Sequence, residues 1–171
     1  MKILNIEIKA VCRDAAKVRA ALHSMNADFR GMDKQLDTYF NVPEGRLKLR
    51  EGNIENSLIF YNRKNLSGPR RSDIALCKVP RGLELRQVLS NALGVKVAVR
   101  KRREIYFVGN VKFHIDTVSG LGSFVEIEAI DMDGSAGTRK LRAQCDKYMR
   151  LLGIRREDLL SGSYSDMLRA K

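Results

Sequence analysis

Charged residues spaced two apart recur along this chain. Glu7 and Lys9 stand in NIEIK, Lys48 and Arg50 in RLKLRE, Lys101 and Arg103 in VRKRRE, and Glu126 and Glu128 in SFVEIEAI. Tyr61 and Arg63 repeat the spacing in SLIFYNR, and His114 and Asp116 repeat it in VKFHIDTV. On a β-strand that spacing turns both members to one face. Lys and Arg so placed suit phosphate oxygens, Arg through a bidentate fork. Carboxylates at i and i+2, meeting another across a cavity, offer the hard oxygen ligands that Mg2+ or Mn2+ takes. A triphosphate whose divalent metal bridges phosphate and protein satisfies both sets.

These residues need strands to carry them. The first is predicted over about Lys2 to Val11, with Leu4, Ile6 and Ile8 opposite Asn5, Glu7 and Lys9. A helix follows from about Asp14, a fitting N-cap, to Met25, with Val18, Leu22 and Met25 at i, i+4 and i+7. DTYFNV leads through Pro43, Glu44 and Gly45 into RLKLRE, a hairpin. SLIFYNR and RSDIALCKV flank the loop KNLSGPR. A second helix is expected from Gly82 to Leu93, striped by Val88, Leu89, Ala92 and Leu93 and stopped by Gly94. VKVAVRKRREIYFV and VKFHIDTV join through Gly109 and Asn110. Gly-Leu-Gly at 120–122 leads into SFVEIEAI. The last third reads as helical, with Leu141, Cys145, Tyr148 and Leu152 in one stripe, then a short helix holding Tyr164, Met167 and Leu168.

About eight strands, mostly hairpin-linked, each with an apolar and a charged face, predict an α+β fold. Its core is an antiparallel, closed or nearly closed β-tunnel with helices packed outside. On any one strand a charged face is most often a solvated sheet face. Repetition over five or six strands argues for charged faces turned inward. Such a lining cannot be dry and unpaired, since an isolated buried charge costs many kcal/mol.

The length of 171 residues predicts a single domain over 1–171. The net charge of +12 points to an anionic partner. With no Trp and few aromatics, a stacking platform for single strands is poorly supplied. RKRR at 100–103 resembles a basic nucleic-acid patch, but alternation divides its charges between two faces, which argues against nucleic acid as partner. Arg70 and Arg71 are expected to add surface charge beside the loop. Cys12, Cys77 and Cys145 lack metal or disulfide spacing and read as buried free thiols, hence a cytoplasmic location. No apolar run follows Lys2, so no signal peptide is expected, and no window reaches a membrane span.

The chain resembles the CYTH superfamily, named for class IV adenylate cyclases and thiamine triphosphatase. The family's N-terminal ExExK strand is matched by Glu7 and Lys9, while Asn5 replaces its first Glu. DTYF, PEGRLKLRE, VRKRR, HIDTVSGLGSFVEIE and GSYSDML extend the likeness over nearly the whole chain, closest to the class IV adenylate cyclase-like branch. The resemblance implies an eight-stranded antiparallel tunnel that binds triphosphate with Mg2+ or Mn2+. It implies phosphate contacts from Lys9, Lys48, Arg50, Arg63, Lys101 and Arg103, with Glu7, Lys9, Lys101 and Arg103 in the catalytic set. It implies metal ligation by Glu7, Glu126 and Glu128, with Asp116 near the metal. Asn5 leaves the number of metals open.

Three functions follow. The first is a metal-dependent enzyme that cyclises ATP or hydrolyses a triphosphate such as thiamine triphosphate or inorganic tripolyphosphate. The second is a non-catalytic nucleotide or polyphosphate binder, and the third a nucleic-acid binder. His114 is a candidate proton carrier, though such a residue is more often a hydrogen-bonding neighbour. Small triphosphates are the expected partners, no membrane is expected, and a homodimer stays open.

Overall fold

A computed structural model describes residues 2–62, 67–80, 83–132 and 134–171. Eight strands close into one antiparallel barrel in the order β1-β5-β4-β3-β2-β6-β7-β8. They are β1 (Lys2–Val11), β2 (Asp28–Phe40), β3 (Arg46–Glu51), β4 (Ser57–Asn62), β5 (Arg70–Lys78), β6 (Val95–Val108), β7 (Val111–Val118) and β8 (Gly122–Asp131). Strands β2 to β5 form one meander and β6 to β8 another. β1 joins them on one side, pairing with β5 and β8, and β2 pairs with β6 on the other. Four helices lie outside the strand order: α1 (Ala15–Ser24), α2 (Leu83–Leu93), α3 (Gly137–Leu151) and α4 (Tyr164–Arg169). None of the described helices is long and apolar enough to cross a membrane.

The charged faces do turn inward, so the hydrophobic core sits outside the barrel wall. Ile6, Ile8 and Ala10 of β1, Val111, Phe113 and Ile115 of β7, and Val125 and Ile127 of β8 face out. They are covered by Val18 and Leu22 of α1 and by Leu141, Cys145 and Tyr148 of α3. Each such side chain contributes about 1.5–3 kcal/mol by leaving water. Asp14 caps α1 as expected, its Oδ1 accepting from the Ala16 and Lys17 amides at 3.1 Å each. Asn26, at φ +52°, turns the chain after the helix in the left-handed region that Asn tolerates.

One end of the barrel is stoppered. Val99, Val118 and Phe124 pack there with Tyr164, joined by Met167 and Leu168 from α4. Ser163 and Asp166 form a reciprocal capping box that starts α4, and Arg46 of β3 holds Asp166 at 2.9 Å. The segment leading to α4 is tied to β1, the Leu160 amide donating to the Lys9 carbonyl at 2.9 Å.

Several expectations need correction. β2 begins at Asp28, well before DTYF, because its inward residues Asp33, Gln35 and Asp37 are polar and leave no apolar alternation to read. A register shift between Phe29 and Gly31 further breaks the period. Arg70 starts β5 instead of lying in a loop, and it is buried while Arg71 is exposed. On α2, Val88 points to solvent, and the half-buried face is Leu85, Leu89 and Leu93. Cys77 is exposed, whereas Cys12 and Cys145 are buried.

Candidate functional site

The barrel encloses a cavity of about 600 Å3. Among the described residues its lining carries seven Lys and Arg side chains against five carboxylates. The wall divides into a basic side and an acidic side.

The basic side is built on Asp37 of β2. Arg50, its direct cross-strand partner on β3, donates to both carboxylate oxygens at 2.9 Å. Lys101 of β6 reaches the same carboxylate at 2.6 Å and Lys48 of β3 at 3.1 Å. Burial alone would raise the Asp37 carboxyl, but Arg50, Lys101 and Lys48 outweigh it and hold the group well below the usual carboxylate range. Lys101 feels the opposite balance. Burial, with Arg50, Arg103 and Lys48 nearby, brings its ammonium down to about 7 despite Asp37. Three cations on one carboxylate leave this wall short of negative charge.

Glu55 extends that wall toward the mouth, accepting from Arg50 at 3.1 Å and pairing with Lys112 of β7. Its position is set by Asp33, whose carboxylate accepts from the Ile54 and Glu55 amides at 2.9 Å each. Gly52 permits this approach, since a Cβ there would meet Asp33 Oδ1 at 2.5 Å.

The acidic side comes from β1, β7 and β8. Glu126 receives Lys9 at 2.9 Å on Oε1 and Arg103 at 2.7 Å on Oε2. Burial opposes its ionisation, yet Lys9 and Arg103 prevail and hold the carboxyl well below the ordinary range. Lys9 Nζ also lies 3.6 Å from the Tyr164 ring centroid, a cation–π contact. Glu7 and Glu128 are direct cross-strand neighbours, an opposition of like charges that favours a cation between or beside them. Glu7 accepts from Arg70 Nε at 2.8 Å. Asn5, one step further along β1, lines the cavity and is 2% exposed, and its Oδ1 has no hydrogen-bond partner among the described residues. His114 Nδ1 lies 3.2 Å from Glu126 and 3.5 Å from Glu128. Burial first, and Arg103 second, lower its pKa and favour neutral imidazole. His114, Glu126 and Glu128 each bring one ligand atom within 4.8 Å of the others.

Glu7, Lys9, Lys48, Arg50, Lys101, Arg103, Glu126 and Glu128 therefore converge on one cavity. Asp116 does not join its lining. It is fully buried on the inner face beneath Arg103 and Tyr164, with Arg103 donating to both oxygens at 2.7 and 2.5 Å and the Tyr164 hydroxyl donating at 2.7 Å. Arg63 lies outside the described residues. Sequence reading missed Asp37, Glu55, Arg70, Lys112 and Tyr164. Asp37 carried a signal, sitting two residues before Tyr39 within the quoted DTYF. Arg70 was concealed by the adjacent Gly and Pro.

A closed barrel lined with opposed cations and carboxylates is accompanied by a match to the CYTH domain over residues 4–164. The chain belongs to the CYTH family. Among relatives of this CYTH protein, "Putative adenylate cyclase MJ0240" of Methanocaldococcus jannaschii is 27% identical over 181 residues, covering 96% of this chain and 98% of that protein. The PH1012 protein of Pyrococcus horikoshii OT3 superposes with a TM-score of 0.79 at 24% identity, covering 95% of this chain and 98% of the other. HpAC1 from Hippeastrum, described as a "putative adenylyl cyclase" with a dominant triphosphatase activity, superposes at 0.66 with 13% identity over 97% and 95% of the two chains. At these identities the two superpositions establish the CYTH fold.

Proposed function

We propose that this CYTH protein is a metal-dependent enzyme that acts on a triphosphate, by cyclising ATP or by hydrolysing the phosphoanhydride. The observation that carries this is the facing of two walls across one cavity. Lys48, Arg50 and Lys101 outnumber Asp37 on one side, and Glu7 opposes Glu128 on the other. Phosphate oxygens complement the first wall and a divalent cation complements the second.

The residues fit such a cation. Glu7 and Glu128 supply hard oxygen donors, and the unpartnered Asn5 Oδ1 supplies a neutral one. Glu126, bound by Lys9 and Arg103, serves as a ligand only by exchanging those contacts. Asp116 is fully engaged by Arg103 and Tyr164, so its role is to orient Arg103. When bound, Mg2+ or Mn2+ neutralises phosphate charge and polarises the bond to be broken. Arg50 and Arg103, each fixed by a buried carboxylate, present guanidinium groups that need little rearrangement as charge develops on the transferring phosphoryl group. Lys9 and Lys101 add point charges, and Lys101 Nζ is suited to exchange a proton near neutral pH.

Ile59, Ile74, Leu76 and Ile130 line the same cavity and suit an organic group attached to the triphosphate, which favours ATP or thiamine triphosphate over tripolyphosphate. The name of the Methanocaldococcus jannaschii relative supports cyclisation, and the description of the Hippeastrum protein supports hydrolysis. A second reading, a receptor without turnover, is favoured by Asn5 in place of a carboxylate.

A turnover screen tests these readings. ATP, thiamine triphosphate and tripolyphosphate are each offered with Mg2+ and with Mn2+, and cyclic AMP, pyrophosphate and orthophosphate are read separately. Cyclic AMP with pyrophosphate identifies a cyclase, and orthophosphate a triphosphatase. Absence of product with a raised melting temperature identifies a receptor. Absence of both rejects the tunnel as a triphosphate site.

A further inference from the structure

The inward half of RKRR serves the tunnel, while its outward half has no place in that chemistry. Arg100 and Arg102 are exposed on the outer face of β6. Lys34 of β2 lies directly across from Arg102, and Leu36 across from Arg100. Like charges placed directly opposite on adjacent strands are destabilising. Neighbouring strands stand about 4.8 Å apart, so the side chains of Lys34 and Arg102 share one small area.

Some basic residues on the exterior are matched by acids. Arg19 holds Glu104 at 2.7 Å, Arg13 holds Asp158 at 2.6 Å, and Arg71 holds Asp73 at 3.0 Å. Lys34, Arg100 and Arg102 have no carboxylate within ion-pair distance among the described residues. They line a groove of about 670 Å3 beneath α2, where Arg86 joins them and Glu51 is the lone acid among the described lining residues. Arg86 already engages Glu51 at 3.2 Å, so Lys34, Arg100 and Arg102 are left without an ion pair among the described residues, although the Glu104 carboxylate also feels the field of Arg102. Thr117, directly across from Arg102 on β7, and Ser119 add hydroxyl groups.

We propose that this exterior groove is a second phosphate site that holds a short polyphosphate anion, sharing with the tunnel's lining only Lys101, which borders both. Charge complementarity selects a multiply charged anion, since a single carboxylate would leave most of the groove's charge unmatched. The volume is that of a small-molecule pocket. No aromatic residue is among its described lining residues, and none of these stacks on a base, which disfavours a nucleic-acid strand. Arg forks and hydroxyl donors grip phosphate oxygens without regard to any attached group. The site depends on none of the metal ligands proposed for the tunnel.

Calorimetric titration with inorganic tripolyphosphate, in the absence of divalent metal, tests this. The full chain is compared with R100S/R102S and with K34S. Two sites are expected in the unchanged protein and one in R100S/R102S, with about tenfold weaker exterior binding in K34S. The exterior affinity falls steeply with added salt, as exposed ion pairs do. One site in the unchanged protein and none in R100S/R102S leaves the exterior site standing and shows that the tunnel takes no metal-free tripolyphosphate; a repeat with ATP and Mg2+ that still finds no second site is failure of the tunnel reading. Equal stoichiometry in the unchanged protein and R100S/R102S overturns the proposal. So does loss of RNA or duplex binding in R100S/R102S with tripolyphosphate binding unchanged, which would make the groove a nucleic-acid surface. Melting curves check that the exposed substitutions leave the fold intact.

Discussion

Strand β6 puts four consecutive basic residues on the two sides of one wall, and the sides treat their charge differently. Inside, Lys101 and Arg103 are 4% and 2% exposed, and each is bonded to a carboxylate. Outside, Arg100 and Arg102 are exposed and have no carboxylate within ion-pair distance among the described residues. The difference follows from dielectric. A charge withdrawn from water needs a partner close by, whereas water itself accommodates a charge at the surface. Tunnel cations are therefore part of the fold as well as of the site. The outer cations are available to a ligand at little structural cost.

Breaking the inner side should have the largest effect. Arg103→Ala leaves Asp116 with the Tyr164 hydroxyl and no bonded cation, and Glu126 with Lys9 in place of two cations, and loss of one partner from a buried pair costs about 3–5 kcal/mol. Thermal melting should show a large drop, and an unchanged melting temperature would refute the buried-pair account. Glu126→Gln should lower stability and abolish metal-dependent turnover together, because Lys9 and Arg103 lose their shared anion. Glu128→Gln separates the two effects. It relieves the opposition to Glu7, so stability holds or rises, while the response to Mg2+ or Mn2+ weakens about a hundredfold if Glu128 is a ligand. Full metal response in Glu128→Gln removes that residue from the metal site.

A smaller effect distinguishes Lys101 by pH. Its folded pKa of about 7 lies below the unfolded value of about 10.4. Between those values the unfolded chain holds the extra proton, so this residue's contribution to stability rises with pH across that window. An anionic ligand favours the charged ammonium, so triphosphate binding at pH 7 to 8 should take up a proton. Calorimetry in buffers of different ionisation enthalpy reads that uptake, and Lys101→Arg should eliminate it. Persistence of the uptake in that variant assigns the proton to another group. The smallest effect belongs to the outer side: R100S/R102S should change stability by less than about 0.5 kcal/mol.

Much of this arrangement was legible in the sequence because strand alternation is a strong signal when one face is apolar. Ile6 and Ile8 against Glu7 and Lys9, or Val125 and Ile127 against Glu126 and Glu128, fix both the strand and its inward side. Where both faces carry polar residues, the signal fails. The first part of β2 is such a stretch, and with it went the extent of the strand that carries Asp37. Arg70 was hidden because loop residues adjoin it, although it is buried and joins β1 to the segment before α4. Asp116 looked equivalent to the glutamates by spacing. Only the position of Tyr164, 48 residues further along the chain, distinguishes a carboxylate covered over on the inner face from one that lines the cavity.

The helix α4 packs across one end of the barrel. Tyr164, Met167 and Leu168 fill the end near Val99 and Val118, while Lys112 and the exposed Met132 line the cavity at the other side of the acidic cluster. Of two products formed in the cavity, the fragment held among Lys9, Lys101 and Arg103 lies beside that packed end, against Tyr164, and its slow departure would hold back the next turnover.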